Sequence, residues 1–366
     1  MSLRGKIIYY VLTGARKSKE AHEHIKELSD MGAKVYVILT PNALNLVDIN
    51  KLEEASGNFI RYSFNKKNGE SLPLEEIIII APATYSTINK ITNGIADNFA
   101  TSCIAAAIGR KTSIYLAPSM NIDLWRSPII QGNLNRLQQL GVKIIHPRIE
   151  GNYCTMAYAS KVNDAVIYDY EKIRFQSKEE NLMQYQKQYK KLLSTHYIEM
   201  KNAGERIVSS GLSNGSKGCI SMKVPIGFLI SSSGAEIGNL KESDITWVLG
   251  RDDNTIKWVG STCPSSETPM HFKMYEHLPD VNAVIHGHCP QITYGVDYEQ
   301  YRTKEYLRYG TFEFGEKLIK HMKEYGGRNF VIARDHGEVA IGTSLDKAID
   351  NVIKICNYER LEIISQ

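Results

Sequence analysis

The chain has 366 residues, of which 43% are hydrophobic and 23% charged, and a formal net charge of +4. Such a composition describes a folded globular chain, and a charge so small and dispersed does not mark a nucleic-acid binder. No apolar run approaches the ~20 residues of a membrane span. The start, Met1 to Gly14, reads as a strand entering a glycine turn rather than as a signal peptide. Cysteines at 103, 154, 219, 263, 289 and 356 form no Cys-x-x-Cys pair and read as reduced thiols of an intracellular protein, so a cytoplasmic location is expected. At ~150 residues per domain, the length predicts two or three domains.

From the start to about Lys161, apolar strands alternate with helical stretches. Ile7–Leu12, Lys34–Leu39, Ile77–Ile80, Ser113–Ala117 and Val142–Ile145 read as buried strands. Ala21–Met31, Thr87–Asn93, Thr101–Ile108 and Ile129–Leu140 read as helices between them. Continuous Ile/Val runs separated by helices predict a doubly wound parallel α/β sheet, and ligands of such folds sit beyond the carboxyl ends of the strands. Three of these strands end in loops suited to a ligand: Thr13-Gly14-Ala15-Arg16, Ala81 to Thr87, and Ala117 to Asn121. Their backbone and hydroxyl groups make a plausible phosphate cradle.

These loops, with Ala81-Pro-Ala-Thr-Tyr-Ser-Thr87, Asn89-Lys-Ile-Thr-Asn-Gly94, Ala117-Pro-Ser-Met-Asn121 and Gln131-Gly-Asn133, resemble the flavoprotein family of phosphopantothenoylcysteine decarboxylase and the peptidyl-cysteine decarboxylases. The resemblance implies that residues 1–172 form an FMN-binding domain with Gly14, Thr40, Thr84, Ser86, Thr87 and Met120 at the cofactor. It places Asn121 at a substrate carboxylate and Cys154 near the family's proton-donating cysteine. Three departures stand out. The decarboxylases carry a histidine just ahead of the strand that ends in Ala-Pro, and no histidine lies between His24 and His146 here. The loop Thr84-Tyr85-Ser86-Thr87 also differs from the family's, and the glycine-rich motif around the cysteine is missing. A flavin reductase or carrier fits these losses better than a decarboxylase.

Residues 173–190 mix charge and glutamine without Gly or Pro and predict a polar helical joint, its later part opening the first helix of a second domain over 191–366. In that domain Val281 to His288 reads as a strand. Residues i and i+2 of a strand share a face, so His286 and His288 can reach one ion at roughly 2.1 Å per nitrogen. A hydrogen-bonded pair is the plainer reading of His-x-His. A third ligand must come from elsewhere, and His336 sits in another apolar-then-turn segment, Val331 to Glu338. Cys289 is an alternative ligand, although alternation turns it to the opposite face. Ser265 and Ser266 precede the helical stretch Met270–Tyr275, where free N–H groups either bind an anion or are simply capped.

Gly211 to Ser216, Leu229 to Gly234, Leu240 to Asp244, Ser265-Ser-Glu-Thr-Pro-Met-His271, Ala283 to His288, Tyr309 to Phe312 and Asp335-His-Gly-Glu338 resemble the class II aldolase/adducin family in order and spacing. The resemblance implies an α/β/α domain with zinc on His286, His288 and His336. It makes Glu267 the general acid/base and puts Asn214, Ser233, Gly234, Ser265 and Ser266 around a substrate phosphate. Zinc or another divalent metal and a small phosphorylated carbohydrate are therefore expected, in a homo-oligomer whose sites lie between subunits. Tyr294, Tyr301, Tyr306 and Tyr309 are candidates for an acid given across that boundary. The leading function is a metal-dependent aldolase fused to an FMN domain. A sugar-phosphate dehydratase or epimerase on the same metal frame, a flavin-dependent decarboxylase or reductase, and an adducin-like scaffold are the alternatives.

Overall fold

A computed structural model of the chain describes residues 3–65, 71–170, 175–180, 182–213, 218–325 and 329–364. Two compact units divide between Lys172 and Ile173. Among the described residues, no helix is long and apolar enough to cross a membrane.

The first unit is built on five parallel strands in the order β2-β1-β3-β4-β6. These are β1 (Ile7–Leu12), β2 (Lys34–Leu39), β3 (Ile77–Ala83), β4 (Ser113–Pro118) and β6 (Lys143–Ile144). Between them run α1 (Ala21–Asp30), α2 (Ile49–Ser56), α3 (Tyr85–Thr92), α4 (Phe99–Arg110), α5 (Ile122–Arg126) and α6 (Pro128–Gln139). Alternate residues of one strand feed two cores. Ile8, Tyr10, Leu12, Ile77 and Ile79 pack with α1 and with α7 (Ala159–Tyr170) on one face. Tyr9, Val11, Ile78 and Ile80 pack with α3, α4 and α6 on the other. Burial on both faces is why these strands read as unbroken Ile/Val runs, and each buried isoleucine contributes roughly 1.5–3 kcal/mol. Helix α2 escaped the sequence reading because its apolar face is short; Asp48 caps it through Asn50 and Lys51, and Gly57 ends it at φ +65°. A separate three-stranded antiparallel sheet joins β5 (Met120–Asn121), β8 (Tyr153–Thr155) and β7 (Arg148–Glu150).

The second unit carries an eight-stranded sheet in the order β15-β16-β14-β10-β11-β12-β13-β9. Its strands are β9 (Gln176–Glu179), β10 (Cys219–Lys223), β11 (Phe228–Ser231), β12 (Ile245–Asp252), β13 (Thr255–Val259), β14 (Ala283–Gly287), β15 (Phe330–Ala333) and β16 (Gly337–Gly342). The predicted helical joint is corrected at its start. Gln176–Glu179 is a strand paired parallel to β13, whose open edge it covers with backbone hydrogen bonds. The helix follows as α8 (Leu182–Ser209). Ile285, Ile332 and Ala340 face α8 and α12 (Leu345–Ile364), while Val284, Val331 and Val339 face α9 (Thr268–His277) and α11 (Phe312–Glu324). Helix α10 (Pro290–Tyr294) follows β14 directly. Period-two alternation thus makes a helix–sheet–helix sandwich whose site-bearing strands, β10, β14 and β16, are adjacent.

Candidate functional site

Strands β14 and β16 pair antiparallel with His286 opposite Val339 and Gly287 opposite Glu338, which places the turn after β14 beside the turn before β16. His286 stands near the end of β14, His288 in the turn that follows it and His336 in the turn before β16. Ring nitrogens of the three lie within 4.8 Å of one another. His288 falls one residue beyond the strand, so its position comes from the turn rather than from strand alternation alone. Nδ1 of His286 donates to the carbonyl oxygen of Glu338 at 2.9 Å, and Nδ1 of His288 donates to the carbonyl oxygen of His336 at 2.7 Å. A carbonyl can only accept, so in the neutral ring the lone pair lies on Nε2 in both cases. Nε2 of His286 is buried without a hydrogen-bond partner, and burial and the two neighbouring imidazoles hold this ring well below the ordinary histidine pKa. Neutral imidazoles with oriented Nδ1 and converging Nε2 atoms are what a divalent metal requires, and this donor set fits zinc.

Close packing fixes the turns. A Cβ on Gly337 would come within 2.2 Å of the Gly287 carbonyl oxygen and 2.9 Å of His286 Cε1. Glu338, buried, accepts from the Cys289 N–H at 3.1 Å and from Thr293 Oγ1 at 3.2 Å, and burial raises its carboxyl to about 7. Tyr309 stacks on His336 with ring centroids 4.3 Å apart.

Glu267 enters from α9 as its N-cap residue. Its Oε1 is 3.5 Å from His336 Nε2, and the side chain is buried. Ser265 and Ser266, both buried, immediately precede it, and Ser265 Oγ accepts from the Glu267 N–H at 3.3 Å. Ser232 bridges to Pro264 and the Ser233 N–H donates to the Cys263 carbonyl, so the Ser232–Gly234 turn runs along the serine loop. Gly234 makes that turn at φ +80°, a conformation glycine adopts without strain. Asn214 lies outside the described residues. Cys289 is not in the imidazole cluster; its Sγ meets the Gln291 side chain at 3.2 Å.

In the first unit a cleft of about 670 Å³ opens at the carboxyl ends of β1, β3 and β4. Gly14, Thr84, Ser86, Met120, Asn121 and Cys154 line it. A Cβ on Gly14 would sit 2.7 Å from Asn42 Cβ, so glycine keeps the cleft open there. Asn121 accepts from the Asp123 N–H through Oδ1, and burial pushes the Cys154 thiol up to about 12, so it stays protonated. Thr40 and Thr87 do not line the cleft. The Thr40 hydroxyl turns back to the Leu12 carbonyl, and Thr87 Oγ1 sits 3.0 Å from Thr84 Oγ1.

Residues 1–172 match the Flavoprotein family, and residues 198–361 match the Class II Aldolase and Adducin N-terminal domain. The chain fuses a flavoprotein-like domain to a class II aldolase-like domain. Among relatives, the coenzyme A biosynthesis bifunctional protein CoaBC of Thermococcus kodakarensis is 30% identical over 173 residues. That match covers 45% of this chain and only 42% of the relative's length. The 5-methylthioribulose-1-phosphate/5-deoxyribulose-1-phosphate aldolase of Rhodospirillum rubrum is 28% identical over 170 residues, 42% of this chain and 74% of that protein. A solved L-fuculose 1-phosphate aldolase is 25% identical, covering 46% of this chain and 84% of its own, with a TM-score of 0.39.

In the aldolase-like domain the structure gathers His286, His288, His336 and Glu267, and sets Ser265, Ser266, Ser233 and Gly234 on adjoining turns. Of the four tyrosines, Tyr309 stacks on His336. Tyr301 packs edge-on to Phe330, Tyr306 is buried, and Tyr294 is 47% exposed. Sequence reading missed Glu338 and His271 here; both sit next to residues it did choose. In the flavoprotein-like domain it missed Asn42, Tyr153 and Thr155 of the cleft lining. Asn42, three residues past the end of a parallel strand, was the findable one.

Proposed function

We propose that the aldolase-like domain is a metal-dependent lyase acting on a small phosphorylated sugar, and that the flavoprotein-like domain binds FMN. The observation that carries the first part is the meeting of three clustered imidazoles with a buried carboxylate, 3.5 Å from one of them. His286, His288 and His336 would hold zinc or another divalent ion, with the Nδ1 bonds of His286 and His288 to backbone carbonyls keeping those two lone pairs on course. A bound ion with three protein ligands keeps a position for substrate and supplies Lewis acidity toward a carbonyl oxygen. Glu267 holds and moves the proton as the carbon–carbon bond breaks. Ser265, Ser266, Ser233 and Gly234 offer hydroxyl and N–H donors to the phosphate. The aldolase reading is tested by retro-aldol assays on phosphorylated pentuloses and hexuloses with chelated and metal-reloaded protein. Triose phosphate or aldehyde released only with metal supports it; an isomeric or dehydrated product instead moves the assignment to the epimerase or dehydratase.

For the flavoprotein-like domain, the carrying observation is a cleft at the ends of parallel strands lined by Thr84, Ser86, Ser119 and Asn121, donors suited to a flavin phosphate and ring. No histidine lines it, which favours a flavin reductase or carrier over a decarboxylase. Titration with FMN, followed by quenching of flavin fluorescence, tests binding.

A further inference from the structure

His271 lies one turn beyond Glu267 on α9, and Tyr275 one turn beyond that, so all three share the helix face turned to strand β10. His271 is wholly buried. Its Nδ1 is 2.7 Å from Ser221 Oγ, and its Nε2 is 3.1 Å from Cys219 Sγ. Ser221 Oγ is in turn 2.7 Å from the Tyr275 hydroxyl. Both β10 residues are buried, and Cys219 stands directly across the ladder from His286. Burial lowers the His271 pKa to about 3, so the ring is neutral, with one nitrogen donating and the other accepting. A single buried relay therefore runs Tyr275, Ser221, His271, Cys219, and the helix it ties to β10 begins at Glu267, whose carbonyl accepts the His271 N–H at 3.2 Å.

We propose that His271 is a positioning residue of the aldolase-like site: it tethers the Glu267 end of α9 to β10 and so keeps the proton carrier in register with the imidazole cluster. This rests on the aldolase reading for its consequence but not for its geometry. An apolar residue would fill the same space, yet a buried polar chain is retained only where each member finds a partner, and here each does. The tether is directional. It joins the first turn of α9, capped by Glu267, to β10.

The test compares full-length, metal-loaded wild type with His271→Leu and His271→Gln, measuring metal per chain, thermal unfolding, kcat and KM. His271→Leu should keep its metal and lose kcat by about 10- to 100-fold, the order expected for misplacing a catalytic group. His271→Gln, which can still donate and accept, should recover most of that loss. Ser221→Ala combined with His271→Leu should be no worse than the poorer single variant, because both break one relay. Full activity in His271→Leu, equal loss in both variants, or additive effects would overturn the proposal. Should His271→Leu not fold, Ser221→Ala, which cuts the tether and leaves the ring, replaces it. If wild type cleaves no sugar phosphate, the aldolase reading fails and the tether is judged on metal-free protein with 15N-labelled histidine. Ring-nitrogen shifts of His271 that move in Ser221→Ala support the relay; unmoved shifts overturn it.

Discussion

Glu267 Oε1 lies 3.5 Å from His336 Nε2, although the two residues reach the site from a helix start and a strand turn 69 positions apart in number. A buried carboxylate beside an imidazole nitrogen is set either to assist a bound ion or to move a proton next to it. Glu267→Gln keeps the shape and removes the charge. It should leave metal content unchanged and lower kcat by roughly 10²–10⁴-fold, measured in the retro-aldol assay with metal saturating. Unchanged kcat would take the proton role away from Glu267.

Gly337→Ala should be far more damaging than its single methyl suggests. The new Cβ meets backbone at 2.2 Å and the His286 ring at 2.9 Å, so the turn that carries His336 must move. A loss of metal affinity of about 10- to 100-fold is expected, with destabilisation of roughly 1–3 kcal/mol. Zinc titration against a competing chelator and chemical unfolding measure the two effects.

Tyr309 separates ring from hydroxyl. Its ring covers His336 at 4.3 Å in a near-parallel stack, an arrangement Phe reproduces. Tyr309→Phe should retain metal as wild type does, and Tyr309→Ala should bind it more weakly. Activity lost in Tyr309→Phe with metal intact would assign the hydroxyl a chemical role.

The pH dependence of stability follows from His271, whose pKa falls to about 3 through burial. A histidine with a lowered folded pKa contributes its full stability above the unfolded value of ~6.5 and loses it as pH falls below that. One unit below, at pH 5.5, the loss is about 1.4 kcal/mol, a loss that glutamine cannot suffer. The stability difference between metal-free wild type and His271→Gln should therefore shrink by that amount between pH 7.5 and pH 5.5. Urea unfolding at the two pH values checks it; a constant difference would contradict a neutral, buried ring.

In the flavoprotein-like domain, Gly14→Ala tests the cleft. Its Cβ would push on Asn42 at 2.7 Å and narrow the space between the β1 and β2 loops. Weaker FMN binding is expected, with thermal stability in the absence of flavin changed far less. Affinity equal to wild type would place the flavin elsewhere.

The sequence alone determined much of this protein, because its strongest signals are local. Unbroken runs such as Ile77–Ile80 are buried on both faces, so their length and composition report a central parallel strand before any packing is known. The same holds for Ser265-Ser-Glu267 before a helix and His286-Gly-His288 after a strand, where chemistry and turn lie within a few residues. Tertiary structure decided what depends on distant partners. Gln176–Glu179 reads as polar helix, yet becomes a strand because β13 offers an open edge. Thr40 looked like a ligand-loop hydroxyl, yet the Leu12 carbonyl claims it. Nothing in the chain order said that Tyr309 would cover His336, or that His271 would bridge Ser221 and Cys219. Periodicity fixes which face a side chain takes; only the closed sheet, with its registers and crossovers, sets which other side chain waits there.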